Sequence, residues 1–124
     1  MEKFIINGPT RPVKGSFNVS GAKNSCLPLM AASVLFKKKV ILKNVPFVKD
    51  VFTMITLLES LGAKVDISEK MRTMTINNKK KHKLVVPYRL VSTMRAGVLT
   101  MGSLLGRYQK KKSELHLVVA VLLV

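Results

Sequence analysis

A chain of 124 residues is long enough for one domain with a modest core, and its 22 Lys and Arg against 6 Asp and Glu leave a net charge of +16 at pH 7. No stretch reaches the roughly 18 uninterrupted apolar residues of a membrane span, and Met1-Glu2-Lys3-Phe4 lacks the layout of a signal peptide. A lone cysteine, Cys26, excludes an internal disulfide and fits a reducing cytoplasm, while His82 and His116 stand without the ligand cluster that a metal needs, so no metal or other cofactor is expected.

In chain order, residues 3–7 read as a short strand ended by Gly8-Pro9, and residues 15–20 alternate like a half-buried strand. The stretch Ser20-Gly21-Ala22-Lys23-Asn24 then turns into a helix reaching about Phe36, with Leu27, Met30, Ala31, Val34 and Leu35 on one face. Pro28 fits that helix only in its first turn, where a missing N–H costs nothing. Residues 39–44 form the next strand, and Asn44-Val45-Pro46 turns the chain. A second helix over about 48–61 aligns Val51, Met54, Ile55, Leu58 and Leu61, with Asp50 at its positive end and Gly62 as its stop. Residues 63–67 and 71–77 read as two strands joined around Ser68-Glu69-Lys70. From Pro87 a further helix would carry Leu90, Val91, Met94, Val98, Leu99, Met101 and Leu105, weakened or split by Gly97, Gly102 and Gly106. The order is β-α-β-α-β-β with an extra strand in front, a mixed α/β pattern. No dinucleotide-binding or Walker glycine motif accompanies it.

The chemistry-bearing stretch is the turn at residues 20–24. A small strand-to-helix turn lets an anion approach the backbone and meet the helix N-terminus. Lys23 adds a flexible point charge suited to phosphate or carboxylate, and Asn24 can both donate and accept. The plainer alternative is that Gly21 only makes the turn and Lys23 is a solvated residue at a helix start. The charge excess sits largely in three lysine runs, Lys37-Lys38-Lys39, Lys79-Lys80-Lys81 and Lys110-Lys111-Lys112, each near the edge of an element. With few interleaved aromatics and no nucleic-acid-binding motif, these runs read as solvated charge.

An ordered series of motifs around that turn resembles the N-terminus of the UDP-N-acetylglucosamine 1-carboxyvinyltransferases, enzymes of the enolpyruvyl transferase family. It comprises Lys3-Phe4, Gly8-Pro9-Thr10, Gly15, Ser20-Gly21-Ala22-Lys23-Asn24, Leu27-Pro28 and Ala31-Ala32. It continues with Asn44-Val45-Pro46, Lys49-Asp50-Val51, Leu57-Leu58, Leu61-Gly62-Ala63, Pro87-Tyr88 and Met94-Arg95-Ala96, ending near Tyr108. The resemblance implies an incomplete inside-out α/β barrel built from βαβαββ units. Residues 1–20 would carry a strand that pairs with a second domain, and residues 21–112 the first unit and the start of the next. It also implies transfer of the enolpyruvyl group of phosphoenolpyruvate to the 3-hydroxyl of UDP-N-acetylglucosamine, an early step of peptidoglycan synthesis and so of cell wall biogenesis. Lys23 and Asn24 would contact phosphoenolpyruvate and Arg95 the UDP-sugar. Arg89 stands where the family commonly has an acidic residue.

The resemblance fails after Tyr108. The family continues into a Pro-Gly-Gly-Cys loop whose cysteine is the general acid, whereas residues 113–124 run Ser-Glu-Leu-His-Leu-Val-Val-Ala-Val-Leu-Leu-Val. No catalytic residue is therefore assigned, and Cys26 belongs to a different motif position. Read one frame over, residues 117–122 can encode Gly-Gly-Cys-x-Ile, so residues 113–124 are expected to be an out-of-frame tail on a truncated, inactive fragment. Two alternatives remain. One is a 5-enolpyruvylshikimate-3-phosphate synthase-like protein, whose usual first turn reads Gly-Ser-Lys-Ser. The other is a small basic nucleic-acid-binding module.

Overall fold

The computed structural model describes residues 3–8, 11–78 and 97–108. Their element order is α1 (Lys23–Ser33), β1 (Val40–Lys43), α2 (Lys49–Ser60), β2 (Lys64–Ser68), β3 (Thr73–Asn77) and α3 (Gly97–Arg107). The three strands form one antiparallel sheet in the order β1-β3-β2. Register explains how it meets the helices. Val40 and Val65 both pair with Ile76, and Leu42 and Ile67 both pair with Met74, so these six apolar side chains share one face. Met74 and Ile76 are fully buried there with Met30 and Val34 of the α1 region and with Val51, Met54, Leu57 and Leu58 of α2. The other face carries Ile41, Lys43, Lys64, Asp66, Thr73 and Thr75.

Both ends of α2 are set by local chemistry. Phe47 and Phe52 flank the N-cap Val48 with ring centroids 5.9 Å apart, a hydrophobic staple that fixes how the chain enters the helix. At the other end Gly62 adopts φ 103°, its N–H bonds the Glu59 carbonyl at 2.9 Å, and the Ala63 N–H bonds Leu58 at 3.0 Å. That pair of bonds is a Schellman cap, which needs a left-handed residue at this position. Gly62→Ala is expected to lower folding stability by about 1 kcal/mol, with Gly62→Asn recovering part of it. Denaturant midpoints check this, and an unchanged midpoint for Gly62→Ala would contradict it.

Several sequence expectations need correction. The strands expected over 3–7 and 15–20 are not formed, and every described residue of 3–8 and 11–20 is exposed, including Phe4 and Phe17. A strand is stabilised by a neighbour's ladder, and the described strands pair only with one another. The element order among the described residues is thus αβαββ followed by a helix. Pro28 does not lie in the first turn of α1. It is the sixth helical residue, so the Asn24 carbonyl loses the i→i−4 bond it would otherwise accept. Leu35 lies beyond the end of α1 and is half exposed.

The third helix also packs differently from its apolar pattern. Val98, Leu99 and Leu105 are exposed, while Thr100, Ser103 and Leu104 are buried. The small side of α3 permits this close approach: a side chain at Gly106 would stand 3.1 Å from Leu35. Ser103 satisfies its hydroxyl locally on the Leu99 carbonyl. The portion of that helix expected before residue 97, Arg89, Arg95 and residues 109–124 lie outside the described residues.

Candidate functional site

The turn at residues 20–24 is held from beneath by the exit of β1. Asn44 leaves the ladder with φ 56°, a left-handed conformation that asparagine tolerates better than most residues. Pairing then resumes for one bond, from the Val45 N–H to the Arg72 carbonyl at 2.9 Å. The Asn44 carbonyl lies against Gly21, where an added Cβ would overlap it, and the Asn44 amide donates to the Val19 carbonyl at 3.4 Å. Gly21 is therefore required by close backbone approach. Its φ is negative and needs no glycine.

Helix α1 starts immediately beyond. Ala22 is its N-cap in extended geometry (φ −80°, ψ 131°), with no side-chain cap, and the N–H groups of Ser25 and Cys26 both turn back to the Ala22 carbonyl. The first helical N–H groups, those of Lys23 and Asn24, have no intrahelical acceptor. Lys23 and Asn24 are both exposed. The Lys23 Nζ donates to Asp50 Oδ2 at 2.7 Å, tying the start of α1 to the first turn of α2. The bridge thus links two positive helix ends, with Lys23 and Asn24 at the start of one of them, a setting that favours negative charge. Asp50 already supplies some.

A cleft of about 340 Å³ is lined by Gly21, Ala22, Ser25, Cys26, Leu29 and residues 41–46. Neither Lys23 nor Asn24 lines it. Cys26 is buried there, and that burial pushes its thiol pKa up, so at neutral pH it is a protonated packing residue. Of the three residues expected to bind ligand, Lys23 and Asn24 are brought together at one helix start, and Arg95 lies outside the described residues.

The sequence did not announce Arg107. Its guanidinium donates to the Val34 carbonyl at 2.6 Å and the Phe36 carbonyl at 3.1 Å through Nη1, and to the Asn78 carbonyl at 2.9 Å through Nη2. The last turn of α1 has no basic residue of its own, so Arg107 acts as its C-cap from another helix. Beside it the buried Asn78 amide donates to the Ser33 carbonyl at 2.8 Å. The separations, 71 and 73 residues to the α1 carbonyls, give no local signal.

Among the described residues no helix is long and apolar enough to cross a membrane. A family model described as EPSP synthase (3-phosphoshikimate 1-carboxyvinyltransferase) matches residues 8–119. Three curated relatives share the name UDP-N-acetylglucosamine 1-carboxyvinyltransferase. That of Pelagibacter ubique is 44% identical over 115 residues, covering 93% of this chain and 27% of the relative. That of Coxiella burnetii is 43% identical over 115 residues, covering 93% and 26%. That of Xylella fastidiosa is 46% identical over 112 residues, covering 87% and 26%. The chain therefore spans about a quarter of the length of these relatives. The crystal structure of the enolpyruvyl transferase NikO from Streptomyces tendae superposes with a TM-score of 0.68 at 19% identity, over 79% of this chain and 22% of that one, which establishes the shared fold. With nine-tenths of its length inside the family model and its αβαββ unit superposing on an enolpyruvyl transferase, the chain belongs to the EPSP synthase family of enolpyruvyl transferases.

Proposed function

We propose that this chain carries the phosphoenolpyruvate-binding turn of an enzyme that transfers the enolpyruvyl group to the 3-hydroxyl of UDP-N-acetylglucosamine and releases phosphate. The observation that supports it most is the exposed Lys23-Asn24 pair at the start of α1, a helix end with no side-chain cap where the N–H groups of these two residues have no intrahelical acceptor. Such a group of donors neutralises an anion and stabilises charge that shifts as phosphate leaves. Lys23 and Asn24 bind phosphoenolpyruvate in this reading, and Arg95 binds the UDP-sugar. The reaction calls for no cofactor. Its place is the cytoplasm, at the first committed step of peptidoglycan synthesis, on which cell shape and division depend. The apolar alternation of the exposed arm, with Phe17 and Val19, fits a strand that pairs with a second domain of a longer enzyme.

The substrate assignment follows the turn itself. It reads Ser-Gly-Ala-Lys-Asn, the form quoted above for the UDP-N-acetylglucosamine enzymes, and not the Gly-Ser-Lys-Ser of the shikimate branch. Titration of phosphoenolpyruvate into the isotopically labelled chain at low salt is expected to shift the Lys23 and Asn24 amide signals. Lys23→Met should weaken that binding by about tenfold, the order of one charge-assisted hydrogen bond. Equal binding by Lys23→Met would overturn the assignment of Lys23. Replacing the matching segment of the Pelagibacter ubique relative with residues 8–108 would test the acceptor: phosphate release should require UDP-N-acetylglucosamine, and dependence on shikimate 3-phosphate would reverse the choice.

A further inference from the structure

We propose that Asp50 is a built-in competitor at this site: its carboxylate holds the Lys23 ammonium until a phosphate-bearing ligand displaces it. The inference rests on the reading of Lys23 as an anion-binding residue and adds what that residue does before the ligand arrives. The bridge is short, 2.7 Å, and spans 27 residues from the start of α1 to the first turn of α2. Asp50 thus stands where the two positive helix ends and Lys23 would otherwise draw an external anion.

The exposure of the pair decides between a structural strut and a displaceable contact. The Lys23 and Asp50 side chains are 47% and 43% exposed, so water and salt compete for both partners. Ion pairs in that setting contribute little net stability, and exchanging one carboxylate for a more highly charged phosphate costs correspondingly little. A ligand phosphate that takes Lys23 meets the displaced Asp50 as a like charge a few ångströms away. Asp50 therefore weakens every anion at this turn and selects for those carrying enough charge to overcome it. Neutral or singly charged ligands gain too little to open the bridge.

The same electrostatics gives the test. Inorganic phosphate is titrated into the 124-residue chain and into Asp50→Asn and Asp66→Asn, with binding followed at the Lys23 and Asn24 amides. Asp66 is the matched control, because it pairs with Lys64 at 3.5 Å on a more exposed surface and its removal changes net charge equally. Asp50→Asn is expected to bind phosphate roughly fivefold more tightly, the factor that a like charge at about 4 Å exerts in water. Asp66→Asn should match the parent chain. Asp50→Ser, which also suits a first helical turn, should reproduce the gain if Asn itself disturbs α2.

Equal affinity in all three chains would overturn the competitor role while leaving the anion site standing. Equal gains in both variants would overturn it as well, reducing the effect to net charge. Weaker binding by both Asp50 variants would make Asp50 a support for Lys23 and not its competitor. If no chain shifts at Lys23 or Asn24, the anion-binding reading falls together with this inference.

Discussion

Gly21→Ala is expected to cost about 3 kcal/mol of folding stability, a large share of what a domain of this size has to lose. The added methyl would be driven into the Asn44 carbonyl, which is backbone and cannot rotate away. Asn44 is also fixed from the far side, since the next residue, Val45, bonds Arg72 across the sheet. Relief therefore requires moving either the exit of β1 or the entry to α1, and both carry the candidate site. The contrast is Gly102→Ala on α3, where nothing lies within 4 Å of the new Cβ. That change should hold or raise stability, because alanine is the better helix former. Chemical denaturation of both variants reads the difference, and matched midpoints would show that the β1 exit is more pliable than its bonding suggests.

Arg107→Met is expected to be of similar weight, about 3 kcal/mol, through a different cause. Methionine keeps much of the aliphatic bulk but removes the three hydrogen bonds that Arg107 donates to the Val34, Phe36 and Asn78 carbonyls. Bonds from a charged donor are among the stronger ones, and a partly buried acceptor left unmet adds its desolvation penalty. Arg107→Lys should recover only a fraction, since one ammonium cannot reproduce a planar fork that serves three carbonyls. Unfolding midpoints again give the measure. Full rescue by lysine would show that charge at the α1 terminus matters and the fork does not.

Much of this architecture was legible because its causes are local. The apolar spacing of α2, the glycine after it, and the inward alternation of Met74 and Ile76 are each written within a few residues. The Lys23-Asn24 turn was legible for the same reason, as a short motif at a strand-to-helix boundary. What escaped reading depends on distant partners. No spacing rule links Lys23 to Asp50, or Arg107 to the end of α1, so a candidate ligand residue acquired an ion pair and an unremarked arginine became a cap. The arm over 3–20 failed for the converse reason: its alternation suits a strand, yet no described strand lies beside it. On α3 the apolar residues misled, because the helix turns Thr100, Ser103 and Leu104 inward and comes close to Leu35 at Gly106.

The strand order β1-β3-β2 also governs when the sheet can exist during synthesis. Both ladders belong to β3, the last of the three strands in the chain. β1 emerges from the ribosome more than 30 residues ahead of its partner, and β2 follows with no neighbour waiting for it. Helices α1 and α2, whose bonds are internal, face that interval with the apolar sides of both strands still uncovered. Only when Asn77 has cleared the exit tunnel can β3 enter between them and join the two halves of the unit in a single step.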